Sequence, residues 1–162
     1  MAMVTTILLW FSVLSVGLMA GVYFTFSAFG MAALGSIDRA AGIAAMNAIN
    51  VVIVRSLFLP LFFGSSASCL ALAVIGALAW GAAGAAAMAV GGALYFAGMF
   101  LVTIARNVPL NNALAAADPA SDDGARIWAD YLTRWTRWNH IRTLASTLSL
   151  ALLVLAMVQR AA

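Results

Sequence analysis

Four stretches of this chain run for about twenty residues or more with almost no charge, and they decide what it can fold into. They cover roughly Met3 to Phe29, Leu57 to Ala79, Ala82 to Ala105 and Ile141 to Val158. An α-helix rises about 1.5 Å per residue, so about 20 apolar residues cross the hydrocarbon core of a bilayer. A soluble domain keeps about a quarter of its residues charged. Here the figure is 8%, against 65% hydrophobic, too few charges to clothe a water-facing surface. The expected fold is all-α, a membrane four-helix bundle formed by residues 1–162 as a single four-span transmembrane domain, with the lipid bilayer as its main partner.

The charges report topology. All eight basic residues are arginines, and all five acidic ones are aspartates. Arg39, Arg55, Arg106, Arg126, Arg134, Arg137 and Arg142 fall on the side of the two longer connections, and only Arg160 falls on the other. Under the positive-inside rule the two longer connections are cytoplasmic and both termini lie outside. The basic balance is thus accounted for without nucleic acid as a partner. The first stretch lacks the basic start of a signal peptide and runs on too long for one, which predicts a retained first span. Cys69 is the single cysteine and sits in an apolar run, so no disulfide forms within the chain and a small core hydrophobe is expected there.

Local signals add detail. "WGAAG" at 80–84 predicts a tight hairpin between the second and third spans. Pro60, read as one turn into the second span, predicts a kink. Gly17 and Gly21 form a small-xxx-small pair that would let another helix approach closely. Ser121, Asp122 and Asp123 are capping candidates ahead of a helical pattern. That pattern predicts an amphipathic interfacial helix from about Gly124, leading into the fourth span. Asp130 and Arg134 are spaced for an ion pair on it. Trp128, Tyr131, Trp135 and Trp138 recur at steps of three and four and share a face. Interfacial anchoring accounts for most of that face.

Anchoring does not account for every polar group. Asn139, Arg142 and Ser146 lie on one face of the fourth helix, flanked by His140 and Thr143. Arg142 falls inside the apolar stretch, where a charge snorkels to the headgroups or finds a partner. Arg55 precedes the second span, with Asn47 and Asn50 on its approach. After the third span come Asn107, Asn111 and Asn112. Val108 before Pro109 predicts an extended residue and a helix end there, where asparagines close open carbonyls. Capping is one reading of Asn107. The other gathers Asn50, Asn111, Asn139 and Arg142 at one membrane depth, as a polar cluster at the cytoplasmic mouth of the bundle.

Several chemistries are set aside. No Asp or Glu falls within a span, against a proton-coupled carrier or a carboxylate-bridged di-iron centre. One His and one Cys do not make a conventional zinc or copper site. A haem held by His140 and a methionine has no supporting pattern. There is no glycine-rich phosphate loop and no nucleophile elbow. The expectation is no cofactor and no metal.

"GLMAGVYFTFSAFGMAAL", "MNAINVVIVRSLFLPLF", "NVPLNNAL" and the Trp128 to Thr143 pattern ending in "WNHIRT" resemble the anthrone oxygenase-like integral membrane family, whose bacterial members are mostly of unknown function. The resemblance extends over essentially the whole chain. It implies four helical spans in a bacterial inner membrane and a link to the oxidation of anthrones to anthraquinones. An anthrone is acidic, and its anion reacts with oxygen without a metal. Such a site needs a base, donors for a developing oxyanion and aromatic walls. On this reading His140 and Arg142 are the catalytic residues, His140 because imidazole exchanges protons near neutrality. Asn50, Arg55, Asn107, Asn111 and Asn139 supply polar contacts, and Trp135 or Trp138 a wall. The ligand would be a flat phenolic or quinone-like molecule. A second reading is a non-enzymatic scaffold or accessory subunit, as a homo-oligomer or in a larger membrane complex. Small-residue faces such as "GAAGAAAMAVGGAL" motivate it.

Overall fold

The computed structural model describes residues 2–162. It contains five helices and, among the described residues, no strand: α1 (Ala2–Ser36), α2 (Arg39–Ile53), α3 (Phe58–Leu78), α4 (Ala85–Ala115) and α5 (Asp122–Ala161). All but α2 are long and apolar enough to cross a membrane. These four pack as a ring in the order α1, α3, α4, α5 and back to α1. Their outer faces carry side chains such as Leu14, Leu18, Leu144, Leu148 and Val158, each more than half exposed. Continuous apolar surface of this kind suits acyl chains rather than water.

The chain turns between α3 and α4 through Ala79–Gly84, where Gly81 and Gly84 have φ of 98° and 75°. That left-handed backbone favours glycine, and the expected hairpin forms. Gly84 lies against Ala156 and Arg160 near the C-terminal end of α5. The opposite end holds both longer connections. Gly17 and Gly21 do not mark the tight crossing: the nearest neighbour to a Cβ at Gly17 is Leu150 at 3.8 Å, and Gly21 has nothing within 4 Å. The close approaches instead join α3 to α4, where Gly92 meets the Cys69 carbonyl and Gly76 meets Ala85 and Ala89. Of the small residues in "GAAGAAAMAVGGAL", Gly84, Ala85, Ala87, Gly91 and Gly92 pack inside the chain, while Ala82, Ala83, Ala86 and Ala93 are exposed.

Three boundaries differ from expectation, each for a physical reason, while α5 starts and continues as expected. The first connection contains a full helix, α2, whose N-cap Asp38 accepts from Ala40 N at 2.7 Å. It buries Gly42, Ile43 and Met46 on one face. Pro60 falls in the first turn of α3, where the donor it lacks has no helical acceptor to lose, so it starts the helix rather than interrupting it. α4 continues ten residues past Ala105, with Val108 helical at φ −60°, ψ −46°. A π turn over Thr103–Asn107 precedes Pro109. This wider turn relieves the clash a proline ring makes with the carbonyl four residues back. Finally, α5 runs unbroken for 40 residues from its N-cap Ser121, whose side chain accepts from Gly124 N. The expected Arg134–Asp130 pair forms at 3.0 Å on its exposed side.

Two apolar cores divide the molecule. One fills the ring with Leu9, Val16, Met19, Cys69, Leu72, Met88 and Leu153. The other closes the connection end, where Trp128, Tyr131 and Trp135 pack on Met31, Ile43, Met46 and Leu114. The three aromatics stack in sequence with centroids 5.8 Å apart. They were expected as headgroup anchors. They are buried instead, because α2 and the extension of α4 lie across them.

Candidate functional site

Between the two cores is a cavity of about 190 Å³. Its inner wall is polar. Arg142 on α5 is 4% exposed, and its guanidinium lies between two rings, 4.5 Å from the centroid of Tyr23 and 4.9 Å from that of Trp135. It donates to Asn139 Oδ1 at 2.8 Å and to Thr103 Oγ1 at 3.3 Å. The only ion pairs among the described residues are Arg126–Asp123 and Arg134–Asp130 at the surface. Arg142 therefore has no counter-charge among the described residues, and its Nε has no hydrogen-bond partner among them. The reading of Arg142 as a snorkelling side chain is corrected: it points into the bundle.

A second layer of contacts fixes this geometry. Asn139 is fully buried, and its Nδ2 donates to the Tyr23 carbonyl at 2.8 Å and to Ser27 Oγ at 2.7 Å. Ser27 also meets Thr143 Oγ1 at 2.8 Å. Ser27 lies in a π turn, Phe26–Gly30, and Thr103 and Asn107 lie in another. Such turns re-aim the side chains they carry. Asn107 Nδ2 donates to the Trp135 carbonyl at 3.3 Å; its side chain makes no cap. Asn111 Oδ1 accepts from both Tyr131 Oη and Trp135 Nε1 at 2.8 Å, which holds the indole flat beside Arg142.

Of the residues expected at the site, Asn50, Asn107, Asn111, Trp135 and Arg142 line the cavity. Asn139 stands behind Arg142 and orients it. Three lie elsewhere. Arg55 is exposed on the α2–α3 connection. Trp138 sits under Arg106, 5.0 Å from ring centroid to guanidinium. His140 is exposed and does not line the cavity. Two residues before Arg142 on a helix is a rotation of about 200°, so His140 faces the opposite way. Sequence reasoning missed Tyr23, Phe26, Phe62 and Thr103, all of which line it. Thr103, a hydroxyl inside an apolar span, was the one available signal.

The lining has no carboxylate and no imidazole. Among the described residues, buried side-chain atoms without a hydrogen-bond partner occur in Asn47, Asn50, Asn107, Thr136, Arg142 and Ser146. Besides Arg142, two of these residues line the cavity, through Asn50 Nδ2, a donor, and Asn107 Oδ1, an acceptor. Buried polar atoms left unpaired cost stability. Three around one cavity describe a place for a polar ligand. The donor set is one fixed cation, one amide N–H and one amide carbonyl between aromatic faces. No group of three or more His, Cys, Asp or Glu among the described residues is placed to hold a metal.

Fold and site together define a four-span helical membrane protein with a cationic, aromatic-walled cavity between its helices. The family described as anthrone oxygenase matches residues 55–152, more than half of the chain, and the chain belongs to that family. The match begins after α1 and α2, so Tyr23, Phe26 and Asn50 lie outside it, although a resemblance over the whole chain was expected. No curated protein and no solved structure matched.

Proposed function

We propose that the protein binds a flat, enolisable aromatic of the anthrone type as its anion and delivers it to dioxygen without a cofactor. The observation that carries this reading is Arg142: a buried cation with no internal counter-charge, clamped between two aromatic faces at a cavity wall. A guanidinium placed there favours the ionised form of a ligand oxygen, and the dry surroundings strengthen the attraction. Asn50 and Asn107 offer a further donor and an acceptor.

The reaction balances with oxygen as the only oxidant. The methylene loses a proton to water, and its anion delocalises onto the ring carbonyl oxygen held by Arg142. The carbanion carbon bonds to dioxygen, and the peroxide anion so formed takes a proton back from water, giving a hydroperoxide. Loss of water from it leaves a carbonyl, so CH2 and O2 become C=O and H2O. Because no base lines the cavity, deprotonation is driven by the acidity of the ligand and the field of Arg142, and His140 has no part in it. On the arginine bias, the connection end is cytoplasmic in a bacterial inner membrane.

Oxygen uptake by purified protein given anthrone tests this, beside Arg142→Gln and His140→Ala. Wild type and His140→Ala should consume one O2 per anthrone at similar rates, and Arg142→Gln should fall to background. Equal rates in wild type and Arg142→Gln would remove the assignment.

A further inference from the structure

The cavity is not uniform from wall to mouth. Its most buried lining is mainly polar or aromatic: Tyr23, Phe62, Asn107, Trp135 and Arg142 are 1–4% exposed, with Met46 the one aliphatic side chain buried beside them. Its exposed lining is entirely apolar: Val54, Phe63, Ile104 and Val108. Phe63 and Ile104 stand on the spanning helices α3 and α4, beside the groove between them. Phe63 is five residues inside the start of α3, or roughly 8 Å along its axis. Arg106, two residues beyond Ile104, is exposed, so the mouth lies near headgroup depth.

Toward water at the connection end, Trp128, Tyr131, Met46 and Leu114 form the second core, each no more than 5% exposed. The rim has two parts: Val54 and Val108 lie beside exposed Arg55 and Arg106, while Phe63 and Ile104 stand on spanning helices, on apolar surface that suits lipid.

We infer that the mouth between α3 and α4 is a lateral portal that admits an amphiphilic aromatic directly from the bilayer, ring-first contacts at Phe63 and Ile104 leading to anion capture at Arg142. The inference rests on the proposed ligand reading. It narrows the ligand to molecules that partition into membranes, with rings among acyl chains and one ionisable oxygen at headgroup level. The size fits. Cavities of about 150 Å³ hold one benzene ring, so about 190 Å³ encloses the head of a tricyclic whose far rings extend into the portal.

The test is kinetic. A narrowed portal slows arrival and departure equally and leaves affinity alone, whereas damage to the site changes affinity. Ile104→Trp and Val108→Trp narrow the mouth; Leu148→Trp, on a lipid-facing position away from the cavity, is the control. Anthrone association and dissociation are followed in proteoliposomes, without oxygen, by quenching of tryptophan fluorescence. We expect both rates to fall roughly tenfold in the portal variants, with Kd changing far less than either rate, and no change in Leu148→Trp. Unchanged rates in both portal variants would overturn the portal, as would a changed Kd with an unchanged dissociation rate. A spin label at Ile104→Cys gives an independent readout. Collisions with oxygen but not with an aqueous nickel chelate support the portal, and access to the chelate overturns it. Failure of wild type to bind anthrone, with the label in lipid, would count against the ligand reading alone.

Discussion

Replacing Arg142 by glutamine separates holding the bundle together from holding a ligand. In the protein as it stands, the guanidinium gains about 1–2 kcal/mol from each desolvated ring face and about 1.5–3 kcal/mol from its charged hydrogen bond to Asn139. Its bond to Thr103, at 3.3 Å, is long and adds little. The favourable side comes to roughly 3.5–7 kcal/mol, against an effective penalty of several kcal/mol for burying the ion. The two nearly cancel. Glutamine gives up the ring contacts and the penalty together, and its amide keeps a donor for Asn139 Oδ1. We therefore expect the stability of ligand-free Arg142→Gln, measured by reversible unfolding in mixed detergent, to change by less than about 2 kcal/mol. Anthrone binding or turnover should drop about 100- to 1000-fold, the usual scale for losing a buried donor to a developing oxyanion. A loss of about 4 kcal/mol or more of stability would refute the reasoning, since Arg142 would then be holding the helices rather than awaiting an anion.

Three further outcomes follow from the packing. Asn139→Asp places a carboxylate 2.8 Å from the guanidinium and supplies the missing counter-charge, so a folded protein with roughly 100-fold weaker anthrone binding is expected by fluorescence titration. Gly92→Val drives a side chain into the Cys69 carbonyl and should cost about 3 kcal/mol or more of unfolding stability, whereas Gly21→Ala, with nothing within 4 Å, should be silent. Trp128→Ala removes the middle of the second core and should lower stability by about 3–5 kcal/mol, read as a fall in detergent melting temperature.

Lipid makes some of this fold easy to read. Every main-chain polar group must be satisfied within a span, so long uncharged runs leave helices as the answer, and the four spans followed. The stripe of Asn139, Arg142 and Ser146 was legible because helical spacing alone puts these residues on one face, and all three are buried. The same rule, applied to His140, would have turned it away from Arg142; adjacency in sequence suggested otherwise. α2 was hidden by length rather than by pattern: Gly42, Ile43 and Met46 mark one face, but 15 residues are too few to span a bilayer and so drew no helix of their own. The run past Pro109 was hidden because the rule that residues before proline leave the helix assumes an ordinary α-helical turn, and a π turn sits there. Trp128, Tyr131 and Trp135 look the same in sequence whether they face headgroups or a covering helix. Only the partners brought by α2 and α4 decide it.

The isolation of Arg142 also has a consequence for finding what the protein binds. A molecule that binds only the folded chain stabilises it by mass action, by about 2.7 kcal/mol at a hundred times its dissociation constant, and so raises its melting temperature. Here the gain is largest for the compound that pairs the lone guanidinium, so thermal stability becomes a reporter of chemical identity. Membrane-soluble acids ranked by how far they shift the melt of wild type, and fail to shift that of Arg142→Gln, would sort themselves by likeness to the natural ligand before any reaction is assayed.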